Sequence, residues 1–154
     1  MQQPRRNFLI RTARLGMAGL ALASGLMTRL ARADETRPAF TATTIADAWK
    51  ALGVSDAKQS TDIAFKAPDI AENGAVVPIE IESKLPNTRS ITILVEKNPH
   101  VMSSSFALPE GTEPFISTRV KVAESSLIHA LVKTDAGAFY TTKLVKVTLG
   151  GCGG

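Results

Sequence analysis

Val77-Pro78-Ile79-Glu80-Ile81-Glu82 decides the fold of this chain. Branched apolar residues stand at every second position, with proline and glutamate between them. Successive side chains of a β-strand point to opposite faces. The pattern therefore buries Val77, Ile79 and Ile81 and leaves Glu80 and Glu82 in solvent. Proline cannot donate to a ladder, so Pro78 predicts that this strand lies at an edge or a bulge.

The same period runs on downstream. Ile91, Ile93 and Val95 alternate with Thr92, Leu94 and Glu96, and Ile116, Thr118, Val120 and Val122 with Ser117, Arg119 and Lys121. Leu127, His129 and Leu131 interleave less cleanly with Ile128, Ala130 and Val132, and residues 139–149 form a long run of β-formers. Glu72-Asn73-Gly74, Pro86-Asn87, Asn98-Pro99, Pro109-Glu110-Gly111 and Asp135-Ala136-Gly137 separate the runs as turns. Six or seven short strands with regular turns predict an all-β, immunoglobulin-like β-sandwich. Upstream, Ile45, Trp49 and Leu52 share one helical face, with Thr43 or Thr44 to cap it and Gly53 to end it. This predicts a short N-terminal helix over residues 44–52, anchored on a sheet by Trp49.

Residues 1–33 read as an export signal outside the fold. Arg5-Arg6-Asn7-Phe8-Leu9 resembles the twin-arginine motif of the bacterial Tat pathway, although Pro4 and Ile10 depart from its usual flanks. The uncharged apolar run at residues 15–27 is shorter than the roughly 20 residues of a membrane span. Ala31-Arg32-Ala33 fits the small-x-small cleavage pattern. The expectation is a Tat-exported periplasmic protein cleaved near Ala33, with no membrane attachment afterwards.

Removing the signal reverses the charge. The whole chain carries 18 Lys+Arg and 14 Asp+Glu, net +4. Residues 1–33 hold six arginines and no acid, so 12 basic and 14 acidic side chains remain, net −2. That balance gives no electrostatic case for nucleic acid or for an anionic membrane. About 121 residues are left, enough for one domain with its own core.

At the other end stands Gly150-Gly151-Cys152-Gly153-Gly154, which holds the single cysteine. One cysteine cannot form an internal bridge, and in an exported protein it points to intermolecular pairing or a reactive thiol. Gly150, Gly151, Gly153 and Gly154 offer nothing that packs, so a thin, flexible arm carrying one sulfur is expected. An ordinary thiol has a pKa near 8.5, and no cation lies closer in sequence than Lys146. A partner's pocket would therefore have to activate it. The chain is thus read in three parts: export signal 1–33, sandwich domain 34–149 and arm 150–154.

Other chemistry is sparse. His100 and His129 are far apart and make no metal signature; both are read as surface or interface residues. Ser103-Ser104-Ser105 lacks a nucleophile-elbow context. Glu80 and Glu82 read as a solvated pair. No cofactor, metal or catalytic residue is expected, and the protein is read as a carrier rather than an enzyme.

The glycine-flanked cysteine, the twin-arginine signal and the strand-rich body together resemble the SoxY family, the sulfur-carrier subunit of bacterial thiosulfate oxidation. Pro68-Asp69-Ile70-Ala71-Glu72-Asn73-Gly74-Ala75-Val76-Val77-Pro78, Glu96-Lys97-Asn98-Pro99 and Ser117-Thr118-Arg119-Val120-Lys121-Val122-Ala123 carry the likeness internally. His100-Val101 departs locally from it. The resemblance implies a heterodimer with a SoxZ-like subunit. It also implies covalent loading of thiosulfate on Cys152 by a c-type haem conjugating enzyme, release of sulfate by a dimanganese hydrolase, and a molybdenum sulfane dehydrogenase for the remaining sulfane. Two other classes compete. One is a structural or adhesion module anchored through a Cys152 disulfide. The other is a carrier activated at its terminal carboxylate as a thiocarboxylate, which needs ATP-dependent adenylation and a β-grasp fold.

Overall fold

The structure, a computed structural model, describes residues 38–148. Two sheets face each other across a branched aliphatic core. The smaller has three antiparallel strands in the order β2 (Ile63–Lys66), β4 (Val77–Ser83), β7 (Phe115–Val120). The larger runs β1 (Ala57–Gln59), β9 (Gly137–Val147), β8 (Ser126–Thr134), β5 (Thr88–Val95), β6 (Met102–Ala107). A further two-residue strand, β3 (Ile70–Ala71), pairs with β9 in parallel, as β1 does at the opposite end of the same strand.

The alternation does its work in the interior. Val77, Ile79 and Ile81 of β4 meet Ile91, Ile93 and Val95 of β5 and Ile128, Ala130 and Val132 of β8. All nine are essentially inaccessible to solvent. Each large aliphatic side chain so buried contributes on the order of 1.5–3 kcal/mol. Glu80 and Glu82 remain on the outer face of β4, where Lys66 approaches Glu80 at 3.7 Å.

Pro78 corrects one expectation. Its strand is the central one of the smaller sheet, paired on both sides. The β2 partner ends at Lys66↔Glu80, so at Pro78 only β7 stands alongside, opposite Arg119. The edge that proline requires is local, formed where a short neighbour stops.

The outer face of the larger sheet carries the helices. α1 (Pro38–Thr41) is one turn and α2 (Ile45–Ala51) two. Thr44 caps α2: the Asp47 N–H donates to its Oγ1 at 3.1 Å, and that hydroxyl donates to the Asp47 carboxylate at 2.7 Å. Gly53, at φ +71, closes the other end, with the Val54 N–H on the Trp49 carbonyl at 2.8 Å. Lys133 of β8 reaches the Leu52 carbonyl at 2.9 Å, placing a cation at the helix C-terminus. Between α2 and the sheet, Ala48 of the helix with Leu94, Val101 and Leu131 forms a second buried cluster, with Ile45, Trp49, Leu52 and Tyr140 packed against it.

Candidate functional site: the root of the last strand

β9 delivers the chain toward Cys152, and its last residues are tied from three directions. On one edge β3 pairs in parallel, Ile70 with Lys146 and Ala71 with Val147. The Lys146 N–H donates to the Asp69 carbonyl at 2.9 Å and the Thr148 N–H to the Ala71 carbonyl at 3.2 Å. On the other side the Val147 N–H donates to the Ser125 hydroxyl at 2.9 Å. Lys143 holds the Asp69 carboxylate at 3.2 Å, tying the approach to β3 back onto β9.

The third tie is the loop packed beneath. The Val122 N–H donates to the Gly74 carbonyl at 2.7 Å. Glycine is required at 74 by closeness rather than by twist: a Cβ there would run into the Val122 carbonyl oxygen and lie 3.0 Å from Cγ1 of Val147. The Asn98 side chain acts as a substitute peptide group. Its amide nitrogen donates to the Lys121 carbonyl at 2.8 Å, and its oxygen accepts from the Ala123 N–H at 2.9 Å. Lys97 N–H donates to the Ser126 hydroxyl at 3.1 Å, joining the same turn to the start of β8.

The three internal segments that carried the family resemblance, far apart in sequence, thus meet around the end of one strand. In the sequence Gly74 and Asn98 read only as turn residues, and Ser125, with Ser126, as a serine lacking a nucleophile-elbow context. The partners that give these residues their roles lie 22 to 25 positions away for Ser125 and Asn98, and no local pattern marks such bonds.

Cys152, Gly150, Gly151, Gly153 and Gly154, like Arg5 and Arg6, lie outside the described residues. Covalent geometry still bounds the thiol. Cys152 is four residues past Thr148, so its Cα is within about 14 Å of that of Thr148. The described residues near the root are of mixed charge, with Glu72, Lys97, Lys121, Glu124 and Lys146 at the surface. Among the described residues no group of His, Cys, Asp and Glu could hold a metal, and no helix is long and apolar enough to cross a membrane. A surface cleft of about 170 Å³, lined by Leu85, Arg89 and Pro109 among others, lies at the opposite end of the sandwich and takes no part in this arrangement. Arg89 there grips Asp135 through two bonds of 2.7 and 2.8 Å. That contact holds the Asp135 carboxyl below the usual carboxylate range and raises the guanidinium.

His129 also departs from expectation. It is not a surface residue: its side chain is 13% exposed, stacked beside Tyr140 and met edge-on by Trp49. Burial pushes the imidazole below its ordinary value, and Glu96, 4.0 Å from Nε2, opposes this. His100 is exposed in the β5–β6 turn.

The described domain is a two-sheet sandwich whose final strand is fixed by these ties, four residues before the single thiol of the sequence. The family model for the sulfur oxidation protein SoxY matches residues 49–152. The structure of the sulfur carrier protein SoxY from Chlorobium limicola f thiosulfatophilum is 31% identical, covering 73% of this chain and 98% of that one with a TM-score of 0.63. A chain from a structure concerning T cell activation by the superantigen toxic shock syndrome toxin-1 aligns at 11% identity, covering 55% of this chain and 98% of that one, with a TM-score of 0.38, and carries no weight. No curated protein sequence matches. This chain belongs to the SoxY family, and its role lies in sulfur oxidation as a sulfur carrier.

Proposed function

We propose that this chain is a periplasmic carrier, exported by the twin-arginine route, that holds thiosulfate-derived sulfur covalently on Cys152 and presents it to separate enzymes. Its domain is an immunoglobulin-like sandwich, and Gly150, Gly151, Gly153 and Gly154 keep the thiol on a slender, flexible arm. The observation that carries the reading is the convergence of Ala71, Gly74 and Ser125 on the end of β9, with Asn98 holding the loop beneath through Lys121 and Ala123. A rigid root and a glycine-flanked thiol within about 14 Å suit delivery into another protein's pocket, since thin backbone can enter where a side-chain-bearing strand cannot.

The chemistry balances with outside oxidant. Loading joins the Cys152 sulfur to the outer sulfur of thiosulfate: R–SH + S₂O₃²⁻ gives R–S–S–SO₃⁻, one proton and two electrons, which a c-type haem conjugating enzyme accepts. Water then cleaves the sulfonate, giving R–S–SH and hydrogen sulfate, the work of a dimanganese hydrolase. A molybdenum sulfane dehydrogenase would take the remaining sulfane. The chain supplies the sulfur nucleophile and no catalytic group, so it is itself no enzyme. A SoxZ-like subunit completes the carrier.

Intact-mass spectra of the purified protein after thiosulfate and periplasmic extract test this. The expected result is a gain on Cys152 matching S₂O₃, absent in Cys152→Ser, whose β-sheet circular dichroism is unchanged. A Cys152→Ser protein that still accepts sulfur would overturn the reading. A disulfide to another protein as the sole Cys152 product would favour an anchored structural module.

A further inference from the structure

The outer face of the larger sheet is covered over only part of its length. Toward the start of β9, α2 buries Leu94 and Leu131. Toward its end, among the described residues, the face is open. Leu127 of β8 and Leu144 of β9 are directly opposed in register and are 39% and 50% exposed. Ile70 of β3, opposite Lys146, is 58% exposed. Lys146 lies two residues beyond Leu144, and Ala71 and Val147 turn to the interior, so Ile70, Lys146, Leu144 and Leu127 share the outer face. Three adjacent strands about 4.8 Å apart thus present an apolar stripe with one lysine in it. Among the described residues Lys146 has no ion-pair partner.

We infer that this stripe is the docking surface for the enzymes that act on Cys152, a shallow apolar contact with an acidic side chain set against Lys146. The inference rests on the carrier reading and names the surface that reading requires. Cys152 is within about 14 Å of Thr148, and Leu144 is about 13 Å back along β9. A protein that encloses the thiol therefore closes on the end of the sandwich and covers some of what surrounds Thr148. The end loops there offer Glu72, Lys97, Lys121 and Glu124; the stripe offers adjoining apolar side chains.

Size and charge select the occupant. Three half-exposed aliphatic side chains fall far short of the roughly 800 Å² per side of a stable interface, so the stripe suits an encounter that must release. A permanent subunit needs more. A second copy of this chain meeting the stripe with its own stripe would bring another Lys146 and no carboxylate to pair with it. Several enzymes taking turns on one thiol need a shared contact that is weak and reversible.

The test uses the full mature protein with any subunit that co-purifies, thiosulfate, and a periplasmic extract from cells lacking this protein as the enzyme source. The rate of mass gain on Cys152 is followed against protein concentration. Leu127→Glu, Leu144→Glu and Lys146→Glu should each lower the rate at limiting concentration by about ten-fold, as loss of an interface anchor does, with the saturated rate kept. Alkylation of Cys152 by iodoacetamide and thermal unfolding should match wild type. Wild-type loading in all three variants would overturn the inference and leave the carrier reading standing. Loss of a co-purifying subunit from the variants on size exclusion would overturn it in favour of a permanent interface. Wild-type protein that gains no mass would overturn the carrier reading, and the docking surface with it.

Discussion

The two halves of the larger sheet's outer face are built from the same strands and similar residues, yet one is core and the other is surface. Leu131 on β8 opposes Tyr140 and lies under Trp49 and Ala48; Leu127, four residues earlier on the same strand, opposes Leu144 in the open. Hydrophobicity does not separate them, since both are leucines in the same register. The cover does. Seven helical residues span about 10 Å, whereas the eleven residues of β9 run about 36 Å. The helix exhausts its length partway, and what it leaves bare is the half nearest the strand end that leads to Cys152.

The sharpest way to break this contrast is to truncate one leucine in each half. Leu131→Ala should cost about 2–5 kcal/mol, the transfer of the lost methyl groups plus the cavity left under α2. Leu144→Ala should stay within about 0.5 kcal/mol, as exposed substitutions do. Urea midpoints at unchanged slope would measure both. Equal losses would mean that the bare half is covered in solution.

The same contrast shows what could be read in advance. Val77, Ile79 and Ile81 were legible because only one face of β4 is buried, and period two reports that case directly. β5 was half legible. Its Ile91, Ile93 and Val95 were read as inward, but Thr92 and Leu94 are buried as well, because a helix lies on the second face. A strand covered on both sides loses its alternation, and the helix read from Ile45, Trp49 and Leu52 carried no sign of which strands it would cover. β1 and β3 have three and two residues, too short for any period; their pairing is decided by β9. The single thiol is a fact of composition, and its surroundings lie outside the described residues. The ties around the strand end were not legible, since a hydrogen bond from Asn98 to Lys121 depends on the finished topology.

Those ties give the second way to sharpen the comparison. If the bare half is a firm platform, its stiffness comes from Gly74 and Ser125 and not from α2. Gly74→Ala forces a methyl group against the Val122 carbonyl and Val147, and overpacking of this kind costs about 1–3 kcal/mol. Ser125→Ala leaves the Val147 N–H without its acceptor, about 1 kcal/mol. Amide exchange should quicken at Val147 and Thr148 in Ser125→Ala and remain slow at Leu131. Faster exchange at both sites would show that the two halves open as one unit.

The smallest expected effect is a slope with pH, and it belongs to the residue on the boundary. His129 lies beside Leu94 and opposite Thr142, between the covered and the bare halves. Neither ring nitrogen has a hydrogen-bond partner among the described residues. Desolvation therefore dominates and holds the imidazole below its ordinary value near 6.5. Glu96 pulls the other way, but at 4.0 Å it is beyond hydrogen-bond reach, and its side chain is half in water. The folded protein thus resists a proton that the unfolded chain accepts. Between the two values the unfolded state binds more protons, so stability rises with pH there. The contribution is complete above about 6.5 and is lost as pH falls through the lower folded value. Urea midpoints measured from pH 7.5 down to 5 should therefore decline in wild type. His129→Phe should decline less, because the imidazole no longer contributes to the slope. Glu96→Gln should decline more, because it removes the charge that opposes desolvation of the ring. A slope unchanged in His129→Phe would show that the imidazole is solvated, and that the boundary between the two halves lies closer to α2 than Leu94 and His129 place it.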